Sequence, residues 1–250
     1  MASNRSGALP RGDRAGELRP LQATGELTES KPKTSALVGL PTPHPMASVL
    51  ARNHAVQQLC ERLSPVAVIG RSLRLFIAGC RPGDGASTIA AAFALDFSER
   101  LSLRTLLVDA NPRSPTLHRV LTRTPDREST LLLDGPMQIR STGGWLDLAN
   151  CCLGTDERQL QEALARCEEL AARYAALVVD LGVTRLDARM LPLSRENDPI
   201  LLVVRAGHTR RQELTTTAAA LAAAKRSVAG VILNAATGSV ATSTKDVKKS

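Results

Sequence analysis

The sequence predicts an α/β fold built on a doubly wound, mostly parallel sheet. Short apolar runs of strand length alternate with segments of helical period. The runs are apolar throughout rather than at every second residue, as strands covered on both faces must be. A glycine-rich turn joins the first such run to the first helix behind it.

The elements follow in order. Val49, Val56, Leu59 and Leu63 keep helical spacing and predict one packed helix ahead of the sheet. Leu73 to Ala78 reads as the first buried strand. Ile89, Phe93 and Phe97 recur every four residues and predict a helix starting near Ser87. Thr105 to Ala110 is a second strand, and Trp145 to Leu148 a third. Leu160, Leu164, Cys167 and Ala171 mark a long amphipathic helix capped by Thr155 or Asp156. Strands at Ala176 to Leu181, Ile200 to Arg205 and Val228 to Asn234 follow, separated by helices at about Asp187 to Ser194 and Arg210 to Lys225. In such sheets a ligand sits beyond the carboxyl ends of the strands.

Three domain-level segments are expected. Residues 1–45 are rich in Gly, Pro, Ser, Thr and mixed charge, and read as a disordered tail. Residues 46–236 form the α/β domain with its leading helix. Residues 237–250 read as a flexible basic tail containing Lys245, Lys248 and Lys249.

Composition narrows the function. The 250 residues are 43% hydrophobic but only 2% aromatic, which argues against surfaces that stack bases on rings. The net charge of +8 suits an anionic neighbour, whether nucleic acid, acidic membrane or acidic protein, and suits equally a merely soluble surface. The five cysteines have no CxxC pair and read as reduced thiols. With no membrane-length apolar run and no secretory-type segment, a cytoplasmic location is expected.

The chemistry concentrates at strand ends. Gly79-Cys80-Arg81-Pro82-Gly83-Asp84-Gly85-Ala86-Ser87-Thr88 stands where a phosphate cradle belongs, between strand and helix. The usual pattern ends in Gly-Lys followed by Ser or Thr. Here Gly85 and Ser87 fit, but Ala86 occupies the lysine position and Cys80 the first small position. By itself a plain glycine-rich turn would look much the same. Asp109 and Asp180 add carboxylates at the ends of two strands, the arrangement that Mg²⁺ and its waters require. Asn234 closes a later strand with an amide suited to a base edge.

With these pieces in order, the chain resembles the cytoplasmic domain of bacterial tyrosine kinases that control capsule and exopolysaccharide export. These belong to the MinD/ParA class of P-loop proteins. The resemblance runs from about Leu73 to Asn234. It rests on Pro82-Gly83-Asp84-Gly85 before Ser87-Thr88, and on Asp109-Ala110-Asn111 leading through Arg113 and Pro115 to Leu117-His118. Leu202 to Gly207 and Gly230 to Asn234 complete it. It implies ATP and Mg²⁺ as cofactors: Gly83, Gly85 and Thr88 at the phosphates, and Ser87, Asp109 and Asp180 at the metal or its waters. Asp109 would be the acid assisting the attacking hydroxyl, and Asn234 would face adenine.

Four departures qualify it. Ala86 removes the phosphate lysine, which makes the Walker A motif degenerate. Asn111 replaces a second acid. Leu181-Gly182-Val183 stands in place of Thr-Pro-Pro. The C-terminal tyrosine cluster is missing, Tyr174 being the single tyrosine. Arg81 occupies the position of the second lysine of MinD-like proteins, either as a solvated arginine or as a partial replacement for the missing charge.

The resemblance therefore implies a catalytically impaired kinase relative that regulates or scaffolds polysaccharide export. Its partner would be the cytoplasmic part of a membrane chain-length protein. Self-association and contact of the basic tails with the inner membrane face are compatible with this reading. A MinD/ParA-like positioning ATPase, with Arg205, His208, Arg210 and Arg211 on DNA, is the alternative, although the pieces around Arg113 favour polysaccharide export over nucleic acid. An active autokinase despite Ala86 ranks last. The tails should be dispensable for folding: limited proteolysis trims the chain to about Ala47 to Ala236 with an unchanged thermal midpoint, whereas a loss of many degrees would mean that they pack.

Overall fold

The computed structural model describes residues 49–68, 72–111, 115–117, 121, 131–134, 137–141, 144–151, 157–185 and 188–234. Both tails, the proposed caps Thr155 and Asp156, and the resemblance residues Arg113 and His118 lie outside these.

Eight strands form one sheet. They are β1 (Leu73–Gly79), β2 (Thr105–Asp109), β3 (Leu131–Asp134), β4 (Met137–Ser141), β5 (Leu146–Cys151), β6 (Ala176–Val183), β7 (Ile200–Arg205) and β8 (Val228–Asn234). Their spatial order is β3-β4-β5-β2-β6-β1-β7-β8. From β5 to β8 every pairing is parallel. The β3–β4 and β4–β5 pairings are antiparallel. The expected parallel sheet is present, with an antiparallel hairpin added at one edge. The third predicted strand corresponds to β5.

Helices cover both faces. On one side lie α1 (His54–Leu63), the short α2 (Pro65–Val68) and α3 (Ala86–Leu95). Val56 and Cys60 of α1 and Ile89 and Phe93 of α3 pack with Leu75, Leu107 and Val178 of the sheet. On the other, α4 (Glu157–Ala171) and α5 (Arg211–Ala223) bring Cys167, Leu170 and Leu221 against Phe76, Leu106, Val179 and Leu202. Each face of β1, β2 and β6 therefore meets a core, which is why their sequences are apolar without alternation. Beyond α3 the chain makes one π-helical turn, Asp96–Arg100, where Arg100 clasps the buried Asp96 through Nε (2.7 Å) and Nη2 (2.8 Å).

The helix expected at about Asp187 to Ser194 is a correction. Among the described residues there, 188–194, only a 3₁₀ turn, Leu191–Leu193, forms, with Pro192 inside it. Proline fits a first helical turn but has no N–H for a longer one.

Tyr174 sits at the amino-terminal ends of the strands, opposite the glycine-rich loop, and is 8% exposed. Its hydroxyl donates to Asp147 Oδ2 (2.7 Å), and the Arg104 guanidinium lies 5.0 Å from its ring centroid. Burial, then the Asp147 carboxylate, push the phenol up to about 12.

Candidate functional site

The site forms at the carboxyl ends of β1, β2, β6, β7 and β8. After Gly79 the chain turns through Gly83 (φ +87°) and Gly85 (φ +92°), conformations natural only to glycine. At Gly85 a Cβ would also land on the Asn234 amide. Helix α3 then starts with no side-chain cap, so the N–H groups of its first turn are left for a ligand.

Asp84 holds this loop in shape. It is 1% exposed. Its Oδ2 accepts the Cys80 N–H (3.1 Å) and the Arg81 N–H (2.8 Å), and its Oδ1 accepts the Thr209 hydroxyl (2.5 Å). Its main-chain oxygen accepts Asn234 Nδ2 (2.8 Å). Thr209 Oγ1 in turn accepts the Arg205 N–H (2.9 Å) at the end of β7. One buried carboxylate thus joins the phosphate loop to the β7–α5 turn, and its own carbonyl joins the loop to β8. His208 Nε2 lies 3.1 Å from the Pro82 carbonyl and closes the same contact from outside.

The predicted residues fall as follows. Gly83, Gly85, Ser87 and Thr88 belong to the loop and the first turn of α3. Arg81 is directed at the β7–α5 turn, where Nη1 donates to the His208 carbonyl (3.2 Å). Asn234, expected at adenine, has its amide nitrogen on Asp84. Ala86 is buried, packed beneath Gly79. Thr209, the contact of His208 with the loop and the bracing role of Asp84 were not anticipated. The available signal was an acid flanked by two glycines in a loop whose amides need acceptors.

The two strand-end acids expected at a metal, Asp109 and Asp180, are register partners on β2 and β6. Asp109 Oδ2 accepts the Leu117 N–H (2.9 Å), and Oδ1 accepts the Asn111 N–H (3.3 Å). Asp180 is fully buried; Oδ1 accepts the Gly182 N–H (2.9 Å), while Oδ2 has no hydrogen-bond partner. Burial lifts its pKa to about 6, opposed by hydrogen bonds from Ser87 and Gly182 and assisted by the Asp109 charge. An orphaned buried carboxylate oxygen beside Ser87 and a second acid fits a hydrated divalent cation. Among the described residues no group of three or more His, Cys, Asp or Glu makes a metal site by itself. The ion would therefore complete its shell with water and phosphate oxygens.

Two departures from the family pattern prove to be one packing solution. Gly182 has φ +63°, and a Cβ there would lie 2.6 Å from Asn111 Cγ. The amide at 111 occupies the space that glycine at 182 leaves open.

No family model matches this chain, and no curated protein matches its sequence. Solved structures do match its fold. The kinase domain of Escherichia coli tyrosine kinase Etk aligns with a TM-score of 0.58 at 17% identity, over 83% of this chain and 88% of that one. The VpsO kinase domain aligns at 0.55 with 21% identity, over 75% and 93%. A ParA family ATPase from Chlorobium tepidum aligns at 0.50 with 17% identity, over 66% and 73%. The chain shares its fold with these bacterial tyrosine kinase domains and with the ParA family ATPase.

The Asp180 charge opposes folding. Because its pKa is raised in the fold, the native state holds the proton more tightly than the unfolded chain. Its contribution to stability is therefore lost as pH rises from about 4 through about 6. Replacing it by neutral Asn removes a cost of up to about 3 kcal/mol at pH 7. Asp180→Asn should raise the thermal midpoint by several degrees at pH 7 and by much less at pH 4, while weakening Mg²⁺-dependent nucleotide binding. An equal or lower midpoint at pH 7 would show that the carboxylate is not under this strain.

Proposed function

We propose that this chain is a catalytically impaired, tyrosine-kinase-like P-loop protein that regulates or scaffolds exopolysaccharide or capsule export. It binds Mg²⁺–ATP weakly or not at all and occupies the kinase-like position beside the cytoplasmic part of a membrane chain-length or export protein. The observation that carries this reading is the asymmetry of the site. The metal side, Ser87, Asp109 and Asp180, is retained, and the loop is held in shape by Asp84. The lysine position on the phosphate side is Ala86, buried under Gly79.

A charge-assisted contact to phosphate contributes about 1.5–3 kcal/mol, so its loss weakens nucleotide roughly tenfold to a hundredfold. A cation aimed at developing charge matters more at the transition state than in the ground state. The loop amides and the uncapped start of α3 would still cradle phosphate. A bound Mg²⁺ would neutralise phosphate charge, held through Ser87 and the waters of Asp109 and Asp180. Arg81, engaged by the His208 carbonyl, is directed elsewhere. Transfer to tyrosine within the domain is also disfavoured, because Tyr174 is buried at the opposite ends of the strands and donates to Asp147.

Among the described residues no helix is long and apolar enough to cross a membrane.

Calorimetric titration with Mg²⁺–ATP tests the reading. Ala86→Lys should raise affinity about tenfold or more, since it returns the missing contact to a loop that is already shaped. Incubation with labelled ATP should leave the unaltered protein without phosphotyrosine. Robust labelling of Tyr174, or an affinity indifferent to Ala86→Lys, would overturn it.

A further inference from the structure

Strand β8 is the exposed feature that the nucleotide site leaves unexplained. Among the described residues it pairs only with β7, so its outer edge presents backbone N–H and C=O groups without a ladder. Natural edges are normally blunted by charge, proline or a bulge on the edge strand. The sequence of β8, Val228-Ala229-Gly230-Val231-Ile232-Leu233-Asn234, has neither charge nor proline; its one bulge, at Ala229, lies at the start of the pairing and leaves Gly230 to Asn234 in regular register with Leu201 to Arg205. Val231 and Leu233 pair with Leu202 and Val204 and share their face, on which α5 packs through Leu214, Ala218 and Leu221. Leu202 and Val204 are buried, yet Val231 and Leu233 remain 50% and 48% exposed.

The surroundings are one-signed. Residues 205–234 contain five basic side chains, Arg205, Arg210, Arg211, Lys225 and Arg226, against a single acid, Glu213. Arg205 pairs in register with Asn234 at the carboxyl end of β8, where Arg210 and Arg211 are also exposed. Lys225 and Arg226 lie just before its amino end. The apolar edge is therefore flanked by positive charge at both ends.

We propose that β8 is a strand-addition site for an extended segment of a partner protein, apolar at alternate positions and acidic at its flanks. Main-chain pairing along the regular stretch Gly230 to Asn234 supplies the attachment, and the alternate side chains extend the apolar row of Val231 and Leu233. The acidic flanks meet Arg205, Arg210 and Arg211 at one end and Lys225 at the other. The proposal stands on the strand edge and its charge, and holds whether or not the loop binds nucleotide.

The test is fluorescence anisotropy of the full chain with a labelled nine-residue peptide: five residues alternating Val and Thr, with two Glu at each end. Saturable binding is expected. The same core with two Lys at each end should bind at least tenfold more weakly, and so should the Glu peptide methylated at the backbone nitrogens of its pairing edge. Leu233→Lys, which places a charge on the apolar row, should weaken the Glu peptide about tenfold at an unchanged circular-dichroism melting temperature. Val231→Thr, which keeps strand propensity, guards against a folding artefact and should weaken it by a smaller factor. Overturning results are failure of the Glu peptide to bind, equal binding of the Lys or methylated peptide, or indifference to both β8 variants. Sedimentation showing a dimer that Leu233→Lys dissolves, and that the peptide cannot displace, would assign the edge to a second copy of the chain instead.

Discussion

A carboxylate with almost no access to water organises this site. A buried charge is tolerated only when hydrogen bonds replace its hydration. Asp84 meets that condition with two backbone N–H groups of its own loop and the Thr209 hydroxyl. Because these donors come from the end of β1 and from the turn after β7, the carboxylate fixes the loop to the sheet on one side and to the entrance of α5 on the other. Asn234 fastens the same residue's carbonyl to β8. The left-handed glycines at 83 and 85 are what allow the backbone to fold around it.

This arrangement separates two properties that usually occur together in phosphate loops. Shape comes from Asp84 and the glycines, and binding strength from a lysine. In the proposed reading of this chain the first is retained, and Ala86 stands at the position of the second. The side proposed for the metal follows the same division. Asp180 is held against its own ionisation by burial, with one oxygen lacking a protein partner. Groups kept under such strain are characteristic of ligand sites rather than of cores selected for stability alone. Asn111 and Gly182, which look in the sequence like two independent departures, lie together, the Asn111 amide filling the space that glycine leaves open.

The central sheet was legible because burial on both faces leaves apolar runs at β1, β2, β6 and β7, interrupted within β1 only by the ion-paired Arg74. The β3–β4 hairpin was not: β3, although it reads Leu-Leu-Leu-Asp, is only four residues long, and β4 alternates apolar and polar residues over five. Pro192 limited the expected helix near Leu191 to a single 3₁₀ turn, a backbone effect that periodicity does not register. At the site, residue types gave the loop and both strand-end acids. They could not give the direction of Arg81, the partner of Asn234 or the burial of Tyr174, since each depends on contacts more than 25 residues away along the chain.

The most direct measurement of the account is backbone hydrogen exchange at Cys80 and Arg81 in the protein without nucleotide. If Asp84 holds the loop, both amides exchange slowly, and Asp84→Ala speeds them by at least an order of magnitude while the amides of β2 and β6 keep their protection. Rapid exchange at both positions in the unaltered protein would contradict it, because the loop would then lack the shape on which the whole site depends.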